Sequence, residues 1–268
     1  MSSEHAYHGE DEDHMSYPIG PIEARGAFTA DFALPAEVPV AQVPAMIERD
    51  RAIMATRPGM RQKHLPVAFD GPSGRFLSGG RYLFDTFENA LAYREWVQHD
   101  FVVDGTKFFE RPYFVDPIFF AWRVIGGHDF KPIAECHKVI RFERWKASDD
   151  ALGAIEGAWP DLRDEAQAQG LASAWLLHSE EDQQIGVVSV ADGARSPGAT
   201  GPDATSLGVL ESAPSLGLPF EEHGLATKTF DRTSWVLTIW FPLHPGEPVD
   251  PALWPNSPPL PAPVPAAV

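Results

Sequence analysis

The sequence has a single cysteine, Cys136, so no disulfide can form within the chain. It contains no Cys-x-x-Cys or His-Glu-x-x-His spacing, and we therefore expect neither a bound metal nor another cofactor. No apolar run approaches the roughly 20 residues that a membrane-spanning helix requires. The first residues also lack a basic segment followed by an apolar one, so no signal peptide is predicted. Together these absences predict a cytoplasmic protein.

Basic residues are also few. The chain has 21 Lys and Arg against 38 Asp and Glu, which gives a formal net charge of -17. A surface of that sign repels the phosphates of nucleic acids and of anionic lipids. We therefore expect neither a nucleic acid nor a membrane as a partner. Hydrophobic residues make up 44% of the 268, which is enough for a sizeable buried core.

The two ends of the chain contain little that can be buried. Residues 1–22 are polar and acidic and predict a flexible tail, and residues 245–268 are rich in proline and predict a second one. Between these tails, the hydrophobic period switches twice through the same order of strands and helices. We therefore predict two modules, over residues 23–133 and 134–244.

Alternating hydrophobicity predicts the strands, and a 3-4 spacing of apolar residues predicts the helices. In the first module the strands are predicted over 27–33, 60–69, 76–84 and 118–125, and the helices over 40–57 and 86–98. In the second module the strands are predicted over 138–145, 172–179, 184–191 and 234–241, and the helices over 150–169 and, more weakly, 203–213.

Each module thus has the order βαββαβ, which is typical of an α+β ferredoxin-like unit. In such a unit two helices cover one face of a four-stranded antiparallel sheet, and the other face needs an apolar partner. Two modules in one chain supply that partner to each other, as does a second copy in a homodimer. We expect the antiparallel sheets to pack as an α/β barrel with a pocket for a small organic molecule between them.

Two sequence motifs carry a family resemblance. The segment RPGMRQK followed by GGRYLFDTFENALAY, within the stretch that begins at Met46, resembles the antibiotic-biosynthesis-monooxygenase-like branch of the dimeric α/β-barrel superfamily. The likeness covers roughly residues 27–130, and RFERWKASDDALGAIEGAWPDLRDEAQAQG resembles a divergent second copy. The resemblance implies the fold and a pocket. That superfamily includes cofactor-free oxygenases, polyketide cyclases, lactone isomerases and haem enzymes, so it leaves the reaction open.

Charged residues in the predicted strands are the first candidates for a site. Asp31, Arg81 and Arg123 alternate with apolar neighbours, and in the ferredoxin-like strand order they share the barrel-facing side with Thr29. A carboxylate between two guanidinium groups stays ionised and orients a substrate oxygen, or else it fixes the two sheets together. We assign Asp31 and Arg123 as candidate catalytic residues and Arg81 as a candidate substrate-binding residue.

Titratable side chains supply the remaining catalytic candidates. His64 is a candidate base, because histidine exchanges a proton near neutral pH. Tyr82 and His99 are candidates for substrate binding, although strand alternation places Tyr82 opposite Arg81 and therefore on the helix-covered face. In the second module, Glu143 and His178 form a plausible acid–base pair if both face inward. Alternatively, Glu143 forms an ion pair with Arg141 at the strand surface, and its presence then requires no catalytic role.

The predicted loop over residues 100–117 is unusually aromatic. Phe108, Phe109 and Tyr113 lie in it, and Trp122 follows in the next strand. A loop with so many rings must bury them or bind something. The rings either pack as a lid on their own core or cover an aromatic substrate, with Trp122 lining the same space.

These candidates leave three classes of function. The first is a cofactor-independent lyase, cyclase or isomerase that performs acid–base chemistry on a small aromatic or phenolic molecule. The second is a monooxygenase, either cofactor-free or dependent on haem. The third is a non-catalytic protein that binds a small molecule. The lack of any cofactor motif favours the first class.

Overall fold

The computed structural model describes residues 19–36, 54, 57–133, 138–192, 213–216 and 226–240. Several predictions concern other parts of the chain. The helix over 40–57 lies outside the described residues except at Met54 and Arg57, and the helix over 203–213 lies outside them except at Ala213. The proline-rich tail over 245–268 and most of the acidic tail over 1–22 lie outside them as well.

Eleven strands are described, of which three have two residues each and the others are longer. They are β1 Gly20–Pro21, β2 Gly26–Ala33, β3 Met60–Asp70, β4 Arg75–Phe84, β5 Val102–Val103, β6 Thr106–Lys107, β7 Val115–Asp129, β8 Lys138–Ala147, β9 Ser173–Ser179, β10 Gln184–Asp192 and β11 Ala226–Trp240. The long strands include every strand predicted from the sequence.

Two α-helices are described, and local sequence sets their ends. Helix α1, Phe87–Glu95, begins where the Thr86 hydroxyl accepts a hydrogen bond from the Asn89 backbone, and a π-helical turn, Trp96–Asp100, continues it. Helix α2, Asp149–Ala168, has Ser148 as its N-cap. It is followed by Gly170 with φ +71°, the left-handed conformation in which glycine ends helices. The helices predicted over 86–98 and 150–169 are confirmed. Among the helices of the described ranges, none is long and apolar enough to cross a bilayer.

Eight antiparallel strands close into one barrel. Their order is β7-β2-β4-β3-β11-β8-β10-β9, and β9 pairs back with β7. The predicted α+β fold, with ferredoxin-like antiparallel sheets packed as an α/β barrel, is confirmed. The barrel closes within one chain, so the halves share one interior, and the division at residues 133 and 134 stays a prediction, as does a homodimer.

The sheet separates two kinds of core. On the outside, one apolar cluster lies around α1 and another around α2. On the inside, a third cluster contains Ala27, Leu83, Trp122, Phe142 and Trp175, among others. This division follows strand alternation, because successive side chains of a strand point to opposite faces.

Three predicted boundaries differ from the structure. The last residues of the predicted acidic tail are part of the fold, since β1 pairs with the end of β7 and the Ile22 amide donates to the Gly127 carbonyl at 2.9 Å. The predicted loop over 100–117 contains β5, β6 and a 3-10 turn, Phe108–Glu110, and β7 begins within it. Strand β11 begins at Ala226, well before the predicted residue 234.

Candidate functional site

The middle of the barrel interior is formed by three neighbouring strands. Thr29 of β2 lies opposite Arg81 of β4, which lies opposite His64 of β3. All three side chains are buried, and Thr29 accepts a 2.9 Å hydrogen bond from the Trp122 indole. We call the end of the barrel where β2 finishes at Ala33 the upper end. The lower end is where β2 begins at Gly26 and β7 finishes at Asp129.

An ion-pair network fills the interior toward the upper end. Arg81 Nη2 lies 2.6 Å from Asp31 Oδ1, and its other terminal nitrogen donates to the carbonyls of Ala30 and Gly80 at 2.8 and 2.9 Å. Arg232 of β11 donates to the same carboxylate oxygen and, at 3.2 Å, to the Ser78 carbonyl. The prediction that Asp31 and Arg81 meet inside the barrel is confirmed.

The predicted place of Arg123 in this network is wrong. Arg123 pairs with Gly26 and with His178 on the outer face of β7, where its exposed guanidinium lies 4.3 Å from the centre of the Phe87 ring. Phe120 and Trp122 are the inward-pointing residues of β7, because they pair with the inward-pointing Thr29 and Ala27 of β2. The second guanidinium on Asp31 therefore comes from the second half of the chain.

His64 lies inside the barrel, but its surroundings oppose the role of a base. The imidazole has 0% exposure, packs edge-on against the Trp175 ring at 5.2 Å, and has no hydrogen-bond partner on either nitrogen. Burial, reinforced by the charge of Arg81, lowers the pKa of His64 to about 3. The side chain is therefore neutral at physiological pH and too weakly basic to accept a proton from a substrate.

A third guanidinium, that of Arg144 on β8, also points inward. It lies 4.5 Å from the ring centres of both Phe120 and Phe230 and 6.0 Å from that of Phe142. Burial lowers the pKa of Arg144, Asp31 raises it, and Arg81 lowers it further. The effects of Asp31 and Arg81 on its pKa show that Arg144 lies close enough to interact electrostatically with both.

The lower end of the barrel contains a cavity with a buried carboxyl group. The cavity encloses about 490 Å³ of empty space, counting the part that is open to solvent, and is lined by Pro21, Ile22, Glu23, Arg61, Gln62, Leu83 and Asp129. Asp129 is 3% exposed, and its Oδ1 has no hydrogen-bond partner. The Gln62 side-chain carbonyl is also buried without a partner. Two residues of the cavity lining, Gln62 and Asp129, thus each have a buried oxygen that lacks a hydrogen-bond partner within the described structure.

Burial sets the acidity of Asp129. It raises the pKa of this carboxyl to about 6, although a hydrogen bond from Ser173 opposes the rise. The Ser173 oxygen in turn accepts a 3.0 Å hydrogen bond from the Trp175 indole, whose ring contacts His64. The hydrogen bonds through Ser173 therefore connect Asp129, at the cavity wall, with the buried Trp175 indole.

The predicted aromatic site is divided between the two faces of the sheet. Phe108 and Phe109 pack outside the barrel on the core around α1, and Tyr113 is buried in the same segment. Trp122 lies on the other side of the sheet, in the barrel interior. The expectation that Trp122 shares a space with the loop is wrong, since the rings form a lid on their own core.

Tyr82 and His99 also lie outside the barrel. Tyr82 packs against Phe28 and Tyr93, on the face opposite Arg81 as the alternation predicted. His99 lies at the surface with its side chain 62% exposed and 3.7 Å from Glu95. Neither side chain reaches the interior.

Glu143 and His178 do not form the predicted acid–base pair. Both occupy outward positions, since Phe142 of β8 and Leu177 of β9 are the inward neighbours. Glu143 instead accepts hydrogen bonds from Ser215 and Lys228, each at 2.7 Å, while His178 lies opposite Arg123. Glu143 therefore belongs to an ion-pair network on the outer surface of the sheet.

Three interior residues were not found from the sequence. Arg144 and Arg232 are in phase with the inward apolar residues of their strands, the same signal that identified Asp31. Arg232 lies outside the predicted strand, which begins at residue 234. Asp129 follows Gly126 and Gly127, and a β-bulge at that point changes the phase, so the residue had the features of a turn.

The haem alternative requires a histidine that a planar macrocycle can reach. His64 does not fit, because it is enclosed in the barrel against Trp175. Within the described ranges, no group of three or more His, Cys, Asp and Glu side chains is arranged to hold a metal ion.

Comparisons with known proteins identify the fold. No family model and no curated protein matches the sequence. A solved structure from Fusobacterium nucleatum, described as a "putative monooxygenase", is 8% identical, covers 81% of this chain and 94% of its own, and superposes with a TM-score of 0.50. An anthrone oxidase-like protein is 12% identical, covers 82% of this chain and 94% of its own, and also gives a TM-score of 0.50. The fold implied by the sequence resemblance is thus confirmed.

Proposed function

We propose that this protein is a cofactor-independent enzyme that removes a proton from a small aromatic molecule bound in the lower cavity, with Asp129 as the base. The observation that carries the proposal is a buried carboxyl group, with its pKa raised to about 6, that faces a cavity with one oxygen unpaired. A general base works best when its pKa is near the operating pH. At pH 7 most Asp129 is ionised, and its basicity is greater than that of a solvated aspartate.

The lining of the cavity favours a small and partly polar substrate. Ile22 and Leu83 supply apolar surface, whereas Gln62 and Arg61 supply polar groups. A phenol, or an aromatic ketone with an acidic C–H, has both an apolar body and a proton that a carboxylate can take. We assign the Gln62 amide, which also lines the cavity, to bind the oxygen on which negative charge then develops.

We further propose that the deprotonated substrate reacts with dioxygen. A methylene between two aromatic rings that are conjugated with a carbonyl loses its proton to Asp129. The carbanion adds to dioxygen, and Asp129 returns the proton to the peroxide anion to give a hydroperoxide. Loss of water then leaves a carbonyl, so one oxygen atom enters the product and the other leaves as water. One structural neighbour is described as a "putative monooxygenase" and the other as anthrone oxidase-like. These descriptions support dioxygen as the second substrate. A lyase, cyclase or isomerase would share the proton-transfer step without consuming dioxygen.

Oxygen uptake with anthrone as the substrate tests the proposal. We expect the wild-type protein to consume dioxygen and to form anthraquinone. We expect the rate to rise with pH through about 6 as Asp129 ionises. Asp129→Asn should lower the rate by about 100-fold or more, because general-base catalysis contributes about 10²–10⁴-fold.

The matched control is Glu23→Gln. Glu23 lines the same cavity but is exposed, so its carboxylate is solvated and should not act as the base. An Asp129→Asn variant with an undiminished rate would refute the assignment of Asp129. Substrate turnover without oxygen uptake would instead refute the oxidation and leave the proton transfer.

A further inference from the structure

The upper end of the barrel interior has more positive than negative charge. Arg81, Arg144 and Arg232 all point into it, and among the described residues Asp31 is the only carboxylate in direct contact with any of the three. Three guanidinium groups and one carboxylate leave a formal charge of +2 in a buried space. Asp182 acts on Arg144 from the β9–β10 turn, but its carboxylate accepts a hydrogen bond from Ser179 at 2.7 Å.

Among the described residues, Arg144 is the member of this group whose guanidinium has no hydrogen-bonded partner. It is 6% exposed, and within the described parts of the chain its guanidinium contacts aromatic rings but forms no hydrogen bond or ion pair. Its Nε is buried with no acceptor. A guanidinium group has five N–H donors, and burying a charge without a counterion is costly. An arginine in this situation is suited to bind an anion from outside the chain.

The neighbouring groups indicate the kind of anion. The Arg144 guanidinium lies 4.5 Å from the ring centres of both Phe120 and Phe230. Arg232 lies 5.4 Å from the Phe230 ring centre as well, so this ring stands beside both positive charges. Phe120, Phe230 and Arg232 are all partly exposed, which leaves the upper end accessible. The surroundings thus combine fixed positive charge with aromatic surface.

We infer that the upper end of the barrel binds the carboxylate of a small aromatic acid, with Arg144 as its main ligand and Arg232 beside it. The carboxylate supplies two acceptor oxygens in the plane that a guanidinium group recognises. The ring of the acid packs on Phe120 and Phe230. This site is separate from the lower cavity, and the inference does not depend on the reaction proposed for Asp129.

Calorimetric titration of the full chain with benzoate, and with benzamide as a neutral probe of the same shape, tests the inference. We expect benzoate to bind about 10- to 100-fold more tightly than benzamide, the range expected for a hydrogen-bonded charge. Arg144→Met should abolish that preference. Arg163→Met is the matched control, since Arg163 is an exposed residue of α2 that pairs with Asp164, and it should bind benzoate as the wild type does.

Each outcome decides for or against the site. The titration of the wild-type protein is a sufficient test, whether or not Arg144→Met folds. Equal affinities for benzoate and benzamide, or no binding of either, would overturn the inference. A benzoate preference that survives Arg144→Met would also overturn it. A preference lost in Asp129→Asn but kept in Arg144→Met would place the anion in the lower cavity instead. If benzoate binding fails while Asp129→Asn still abolishes oxygen uptake, only this inference falls.

Discussion

Two aspartates face the interior of the same barrel, and their surroundings give them different properties. Asp31 and Asp129 are almost equally buried, at 4% and 3% exposure. Asp31 is in contact with the guanidinium groups of Arg81 and Arg232, whereas Asp129 has a hydrogen bond from Ser173 and an oxygen without a partner. Burial by itself therefore does not determine what a carboxyl group can do.

The difference lies in what compensates the lost hydration. Opposite charges compensate the carboxylate of Asp31, which ties β2 to β4 and to β11. In the part of the chain that the structure describes, no positively charged group bonds to Asp129. Burial therefore raises its pKa to about 6 and leaves it ready to exchange a proton near neutral pH. The upper end of the barrel thus has fixed charge, and the lower end has a group whose charge can change.

The largest effect should follow from removing the charge of Asp31. Asp31→Asn leaves Arg81 and Arg232 buried without a counterion, and breaking such a pair costs about 3–5 kcal/mol. Urea denaturation at pH 7 measures the loss. The control is Asp164→Asn, which breaks an exposed pair with Arg163 and should cost less than about 1 kcal/mol. Similar losses in the two variants would contradict the importance of the buried network.

The second prediction concerns the pH dependence that Asp129 gives to stability. Its pKa is higher in the folded state than in the unfolded state, so the folded protein binds more protons between about pH 4 and 6. Stability contributed by this group is present below pH 4 and lost as pH rises through 6. Asp129→Asn should therefore be more stable than the wild type at pH 8, by up to about 3 kcal/mol, and equal to it near pH 3.5.

The difference between variant and wild type is the quantity to measure. His64 titrates in the opposite direction, since its lowered pKa makes stability fall as pH drops below about 6.5. Subtracting the two denaturation curves at each pH removes this common contribution. A constant difference from pH 3.5 to 8 would show that the pKa of Asp129 is not raised.

A smaller effect should follow from Ser173→Ala. The Trp175 indole loses its acceptor, which costs about 1–3 kcal/mol. Asp129 also loses the hydrogen bond that lowers its pKa. The rise of the oxygen-uptake rate with pH, which we call the pH limb, should therefore move to higher pH. Thr29→Val is the control, because it removes the acceptor of the Trp122 indole at a similar cost while leaving the limb in place. An equal shift of the limb in both variants would contradict the link to Asp129.

The smallest effect should come from Arg123, which the sequence had assigned to the same network as Arg81. Arg123→Met removes an exposed guanidinium stacked on Phe87 and should cost about 0.5–1 kcal/mol. Oxygen uptake should be unchanged, because the side chain lies outside the barrel. Thermal denaturation and the anthrone assay check both statements, and a large loss of activity would mean that Arg123 reaches the substrate.

Much of the fold could be predicted from the sequence because the relevant information is local. The alternation of apolar residues located the strands, and the 3-4 spacing of apolar residues located the two helices of the described ranges. The same alternation correctly placed Asp31 and Arg81 inside and Tyr82 outside. It failed for Arg123, because the chosen phase of β7 was shifted by one residue, and one residue reverses the direction of every side chain.

The site depended on features that are not local. Arg232 meets Asp31 across 201 positions of the chain, because β11 pairs with β3 of the first half as well as with β8 of the second. Asp129 faces a cavity because a β-bulge changes the direction of the residues that follow it in β7. Glu143 and His178 have the composition of an acid–base pair, but the barrel places them on its outer face.

The sequence by itself thus determined the order of the strands and helices, the acidic surface and the presence of charged residues within apolar strands. Each of these depends on the chemistry of residues close together along the chain. The tertiary structure alone decided which charges are compensated, because the field at a buried carboxyl group is set by neighbours in space. Two aspartates of the same kind, in strands of the same sheet, therefore differ in the groups that surround them and in proposed function.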